Sequence, residues 1–269
     1  MELVRHDTPI FIYTGGKPFD HCLPVVVMIH GAGHDHSVWN HQARHLAHHG
    51  FAVLAPDLPG HGRSSGAPLP SIEALAEWIA GLLDELGITR AALAGHSMGS
   101  LVALQCAANL PDRIDRLLLL GSVAPMPVAP PLLDAARDNR DAAHRMINQW
   151  SYTPKSLLGA SPVPGMSLVG LNQRLMERQR PGVLANDLAA CNAYAGGLEA
   201  ASRVRIPAAL ICGERDQMTP RKAVKPLHEA LVHTPSPTPM IMIAGAGHAM
   251  MAEAPDAVSD AMRGFLNRA

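Results

Sequence analysis

At 269 residues the chain has room for one large domain with an insertion, and a 48% apolar composition supplies its core. Its 22 Lys and Arg against 23 Asp and Glu leave a formal charge of −1, which removes the electrostatic case for nucleic acid or an anionic membrane as partner. No apolar run approaches the roughly 20 residues that span a bilayer, and the first seven residues lack a basic stretch leading into an apolar one, so a soluble, cytoplasmic protein is expected.

Strand and helix signals then alternate as a doubly wound, mostly parallel α/β sheet flanked by helices requires. After an N-terminal strand or hairpin, the pattern predicts a strand over 25–30, a helix near 38–49, a strand over 51–56 and a helix over 71–86. A strand over 91–95, a helix over 98–109 and a strand over 114–121 follow. The 71–86 helix opens at Ser71, carries Ile72, Leu75, Ile79, Leu82, Leu83 and Leu86 on one stripe, and stops at Gly87; the stripe reads as core. Alternation breaks at Pro125-Met126-Pro127-Val128-Ala129-Pro130-Pro131 and resumes at Arg205-Ile206-Pro207. Helical patterns at about 132–150, 167–180 and 183–198, linked by Ser161-Pro162-Val163-Pro164-Gly165, fill the gap. The expected organisation is a core over 1–124, an inserted helical cap over 125–204, and the rest of the core over 205–269.

Within this frame Gly95-His96-Ser97-Met98-Gly99 is a G-x-S-x-G turn between a buried strand and a small, apolar helix. A sharp strand-to-helix turn strains the backbone of the central residue, and flanking glycines remove the Cβ atoms that would collide. The Ser97 hydroxyl is thereby presented at a helix N-terminus, where free N–H groups favour developing negative charge. Serine is a weak nucleophile at neutral pH and needs a base with a pKa near the working pH, which points to histidine. His248 lies in Gly245-Ala246-Gly247-His248 after the strand pattern of 240–243. Asp216 lies in Gly213-Glu214-Arg215-Asp216 after the apolar run 208–212, where it would fix the tautomer of the imidazole. Glu214 and Asp256 are the competing acids; Glu214 reads as the end of a strand and Asp256 as the first turn of a helix. For the oxyanion, the donors expected are the backbone N–H of Met98 and that of Ala32, in His30-Gly31-Ala32-Gly33 after the strand at 25–30, with Gly33 as the alternative one residue on.

The order Ser97, Asp216, His248 and the four motifs, including Asp57-Leu58-Pro59-Gly60-His61-Gly62-Arg63-Ser64, resemble the α/β-hydrolase superfamily from about Leu23 onward. The similar branch contains carboxylesterases, perhydrolase-type enzymes, enol-lactone hydrolases and carbon–carbon bond hydrolases. Serine at position 97 argues against the epoxide hydrolases and haloalkane dehalogenases, which carry aspartate there. The resemblance implies hydrolysis of a small to medium apolar ester, lactone or thioester through an acyl-enzyme. Its alternatives are cleavage of a vinylogous diketone, or a ligand-sensing role with slow turnover. The cap would roof the pocket, with Trp39, Met126 and Met146 as candidate lining, Trp39 reading equally well as a packing anchor.

Cys22, Cys106, Cys191 and Cys212 show no metal or redox spacing and are expected to be reduced. His34, His36, His41, His45, His48 and His49 crowd one stretch, but no carboxylate motif accompanies the His41/His45 pair, so neither metal nor cofactor is assigned. A monomer or homodimer acting on a small molecule is expected.

Overall fold

The computed structural model describes residues 1–5 and 7–267. Eight strands form one sheet: β1 (Glu2–Arg5), β2 (Thr8–Tyr13), β3 (Val25–Ile29), β4 (Ala52–Pro56), β5 (Ala91–His96), β6 (Ile114–Leu120), β7 (Ala208–Gly213) and β8 (Met240–Ile243), in the order β1-β2-β4-β3-β5-β6-β7-β8. The first two strands are an antiparallel hairpin that adds antiparallel to β4, and β4 through β8 pair in parallel.

Both faces of the parallel strands are covered, which is why they read as continuous apolar runs. Alternate residues go to opposite layers: Val27, Ile29, Leu93, Leu117, Leu119 and Leu210 join one core, and Val26, Met28, Ala92, Ala94, Leu118 and Ile211 the other. Helices α1 (Asn40–Ala47) and α12 (Pro255–Leu266) cover the second layer. The first is covered by α2 (Ile72–Glu85), α3 (Met98–Asn109), α9 (Gly197–Arg203) and α10 (Arg221–Ala230). Helix α2 starts where the sequence places it, with Ser71 Oγ accepting from Ala74 N at 3.1 Å, and ends just before Gly87 at φ +63°. Residues 98 to 108 of α3 are all buried, because this helix packs against the sheet on one side and α2 and α9 on the other.

Between β6 and β7 run α4 (Pro130–Asp138), α5 (Arg140–Ser151), α6 (Pro154–Leu157), α7 (Leu168–Glu177), α8 (Val183–Ala193) and then α9. The single helix expected over 132–150 is two: Asn139 leaves helical geometry and its Oδ1 accepts from Ala142 N, so it caps α5. The helix expected over 183–198 also divides, since Tyr194 turns extended to donate its hydroxyl to Gln105 Oε1 at 2.6 Å. Helices α4, α5, α7 and α8 share a small core of their own, whereas Ala200 and Ala201 of α9 pack into the core on α3. The short helix α11 (Met250–Glu253) precedes α12.

Strand order reverses between β3 and β5, so the chain leaves their carboxyl ends in opposite lateral directions and opens a crevice. Close packing seals its floor. A Cβ on Gly99 would overlap the Ile29 carbonyl oxygen and lie 2.5 Å from that of His30, both rigid backbone atoms. Gly99→Ala is therefore expected to destabilise the fold by about 3 kcal/mol or more, read as a lower urea midpoint at unchanged slope. A midpoint equal to wild type would show that the β3–α3 contact can relax.

Candidate active site

Ser97 sits at the crevice, between β5 and α3, with φ +52° and ψ −120°; a non-glycine residue in that region is strained, and Ser97 N–H donating to Leu120 O at 2.9 Å helps hold it there. Its side chain borders a cavity of about 820 Å³ that His248 also lines. Among the described residues no hydrogen bond joins Ser97 Oγ to His248, a contact that resting sites often complete only with substrate bound.

Asp216 and His248 meet after β7 and β8, with His248 Nδ1–H donating to Asp216 Oδ2 at 2.8 Å. The carboxylate is filled: Oδ1 accepts from Met218 N and Thr219 N, both at 2.8 Å, and Oδ2 also accepts from Thr219 Oγ1 at 2.6 Å. Burial pushes the Asp216 carboxyl up, but His248 and the Thr219 hydrogen bonds outweigh it and hold the group below its ordinary range, so it is ionised. The competing acids are elsewhere: Glu214 accepts from Gly245 N at 2.8 Å, and Asp256 lies in the first turn of α12.

Three ties hold the His248 backbone. His96 Nε2–H donates to the His248 carbonyl at 3.0 Å, Gly247 N–H donates to Glu253 Oε2 at 2.6 Å, and Ala249 N–H donates to Ser151 O of α5 at 3.0 Å. Burial, and then the neighbouring His248, keep the His96 imidazole well below its ordinary pKa and hence neutral. Glu253 also collects Thr153 N, Thr153 Oγ1 and Ser156 Oγ, linking the His248 loop to α6. Sequence reasoning missed both residues: His96 was only the variable position of the serine turn, and Glu253 lies in a four-residue helix with no periodicity to display.

On the opposite wall, the Gly31 carbonyl accepts from His30 Nδ1–H at 2.9 Å, and the trans geometry of that peptide points the Ala32 N–H the other way. His30 Nε2 in turn accepts from Leu58 N at 3.1 Å, so the ring is neutral; burial first, then His61, lower its pKa to about 4. Gly33 N–H is occupied, donating to Asp187 Oδ2 at 2.8 Å. Among the described residues no hydrogen bond takes up the N–H of Ala32 or of Met98. Of the two registers open to sequence reading, this leaves Ala32 and not Gly33 with a free donor.

The cavity wall is mostly apolar: Met126, Leu132, Ile147, Trp150 and Leu188 line it, with a polar strip where His34 Nε2 meets Asn172 Oδ1 at 2.8 Å. Two of the three expected lining residues are not there. Trp39 is fully buried under the sheet, edge-on to His96 with ring centroids 6.5 Å apart, and acts as a packing anchor. Met146 packs into the insert core, because the face of α5 turned to the cavity carries Ile147, Trp150 and Ser151.

The histidine-rich stretch disperses. His34 and His41 line the cavity, His36 Nδ1 bonds Asp57 Oδ1 at 2.7 Å, and His45 stacks on His49. Asp35, His36 and Asp57 lie close enough together to hold an ion, but their oxygens already serve protein donors. Cys106, Cys191 and Cys212 are buried free thiols, and Cys22 is exposed. Asp35 is buried, which alone would raise its pKa, yet Ser37 and then the Arg178 guanidinium bring it down to about 2. A carboxyl depressed by folding stabilises fully above its unfolded pKa near 4 and loses that contribution as pH falls toward 2, here about 2 kcal/mol. Wild type and Asp35→Asn are thus expected to differ in urea midpoint at pH 5 and to close most of that gap by pH 2; a constant gap would contradict this.

A sequence profile of the alpha/beta hydrolase family matches residues 26–261. A pimeloyl-[acyl-carrier protein] methyl ester esterase of Chromobacterium violaceum is 32% identical over 217 residues, covering 77% of this chain and 82% of that protein. An uncharacterized protein of Mycobacterium tuberculosis is 40% identical over 100 residues, which are 37% of this chain and 29% of the mycobacterial protein. The chain thus spans under a third of that relative's length. Among solved structures, an enol-lactonase from Burkholderia xenovorans LB400 superposes with a TM-score of 0.84 over 100% of both chains at 23% identity, a likeness of fold.

Proposed function

The chain belongs to the alpha/beta hydrolase family, and from that premise we propose that it is a serine hydrolase that cleaves a carboxylic ester, lactone or thioester through an acyl-enzyme on Ser97. The observation that carries this is the saturated Asp216 carboxylate holding His248 Nδ1–H at 2.8 Å on the cavity that Ser97 also lines. With Nδ1 committed as donor, Nε2 carries the free lone pair and is the atom that takes the Ser97 proton as Oγ attacks. The N–H groups of Ala32 and Met98 receive the oxyanion. Collapse expels the alcohol, protonated by His248, and a water activated by the same nitrogen releases the acid. The apolar walls from α4, α5 and α8 roof the acyl group, and the esterase relative from Chromobacterium supports an ester as substrate.

Steady-state hydrolysis of para-nitrophenyl esters of increasing acyl length tests the reading. Turnover with an optimum at a medium acyl chain is expected. No turnover on any ester, with turnover on a diketone or stoichiometric ligand binding instead, would replace it.

A further inference from the structure

The buried face of α8 follows helical spacing through Leu184, Asp187, Leu188 and Cys191, so a carboxylate stands in an otherwise apolar stripe. That exception needs a cause, because a buried carboxylate is expensive unless charge and hydrogen bonds compensate it. Its Oδ2 accepts from the Gly33 N–H at 2.8 Å and from His61 Nε2 at 2.7 Å, and its Oδ1 from Asn186 Nδ2 at 3.4 Å. The other ring nitrogen of His61 faces the Pro59 carbonyl at 3.0 Å. Both ring nitrogens therefore meet acceptors, which only the imidazolium satisfies. Burial lowers the His61 pKa, but the Asp187 charge and its hydrogen bond outweigh this and leave it raised. Asp187 and His61 are each only 1% exposed, so this is a closed ion pair clamped on one backbone amide. Leu184 backs the same amide from the apolar side: a Cβ on Gly33, whose φ is +64°, would lie 2.8 Å from Leu184 Cδ1.

We propose that Asp187 is a positioning residue for the oxyanion loop: with His61 behind it, its Oδ2 fixes the Gly33 peptide and so aims the neighbouring Ala32 N–H into the cavity. His30 fixes the peptide on one side of Ala32, and Asp187 fixes the peptide on the other, from an insert helix rather than from the sheet. The inference rests on the Ser97 hydrolase reading and adds to it that the insert sets transition-state stabilisation as well as the pocket roof. Asparagine cannot replace Asp187, although it has the same shape. With its oxygen in the Oδ2 position, the positive His61 loses its counter-charge. With its nitrogen there, a donor faces the Gly33 N–H. In the first orientation both hydrogen bonds survive but His61 is left a buried cation without a counter-charge, or gives up its proton and leaves the Pro59 carbonyl unpaired; in the second both the Gly33 and the His61 hydrogen bonds are lost.

The test compares full-length wild type with Asp187→Asn on a para-nitrophenyl ester and on two inhibitors. One is a trifluoromethyl ketone, which forms a tetrahedral oxyanion on the serine; the other is the corresponding secondary alcohol, which fills the cavity without one. For Asp187→Asn, kcat is expected to fall about 10²-fold with KM unchanged, and ketone affinity to fall in proportion while alcohol affinity holds. Met176→Ala, in the insert core but off the cavity and the oxyanion loop, is the structural control: it lowers the melting temperature and leaves the ketone-to-alcohol ratio at the wild-type value. Should Asp187→Asn fail to fold, the double variant Asp187→Leu/His61→Phe replaces the pair with apolar groups, a change that buried ion pairs often tolerate. The same selective loss is expected from it. Wild-type kcat and ketone affinity in either variant, or equal losses for ketone and alcohol, would overturn the proposal. Wild type inert toward both ester and ketone would instead overturn the hydrolase reading on which it stands.

Discussion

Ser97→Ala is expected to lower kcat on its best ester by about 10⁶-fold while the protein stays folded and still binds the non-reactive alcohol analogue. The size follows from what is removed. The side chain is small and borders the cavity, so its loss leaves little packing behind, and alanine inherits the φ of +52° without adding atoms to the turn. On the proposed reading no acyl-enzyme forms without Oγ, and what would remain is water attack assisted by the Ala32 and Met98 N–H groups alone. A loss below about tenfold would mean that Ser97 is not the nucleophile.

Asp216→Asn is expected to cost about 10⁴-fold in kcat with little change in KM. All the acceptor positions of Asp216 are in use, by two backbone N–H groups, one hydroxyl and His248. An amide nitrogen must take one side. Since Met218 N and Thr219 N both need an oxygen, that nitrogen turns toward His248, and the imidazole answers by moving its proton to Nε2. The base then presents a donor to Ser97 where it needs an acceptor. Thermal melts should show a folded protein, since the change is isosteric. The double variant Ser97→Ala/Asp216→Asn should be no slower than Ser97→Ala alone, because the residues act as a unit. Additive losses would show that Asp216 acts on something other than the serine–histidine pair.

Much of this arrangement was legible from pattern. The buried strands at 25–29, 91–96 and 208–213 stood out as short apolar runs ended by Gly or His, and the residues that follow them fall at the crevice because strand ends define it. Ala32, Ser97 with Met98, and Asp216 follow those three strands, and His248 follows β8 in the same way. The insert was less legible. Helical spacing shows that α5 has an apolar face, but not that Ile147 rather than Met146 turns toward the cavity, since rotation depends on how helices pack. Trp39 was open between wall and anchor because a large aromatic near a pocket suits both, and only its place beneath His96 decides. Asp187 carried a signal that went unused: a lone acid within the stripe Leu184, Leu188, Cys191 breaks the helical pattern, and such breaks mark positions with a polar task.

The most direct test of the central claim is covalent: incubate wild type with a para-nitrophenyl phosphonate ester, follow activity, and locate the adduct by peptide mass mapping. Inactivation in step with one phosphonyl group per chain, carried by Ser97 and absent from Ser97→Ala, is the expected result. Full inactivation with the adduct on another residue, or undiminished ester turnover after Ser97 is labelled, would contradict the account.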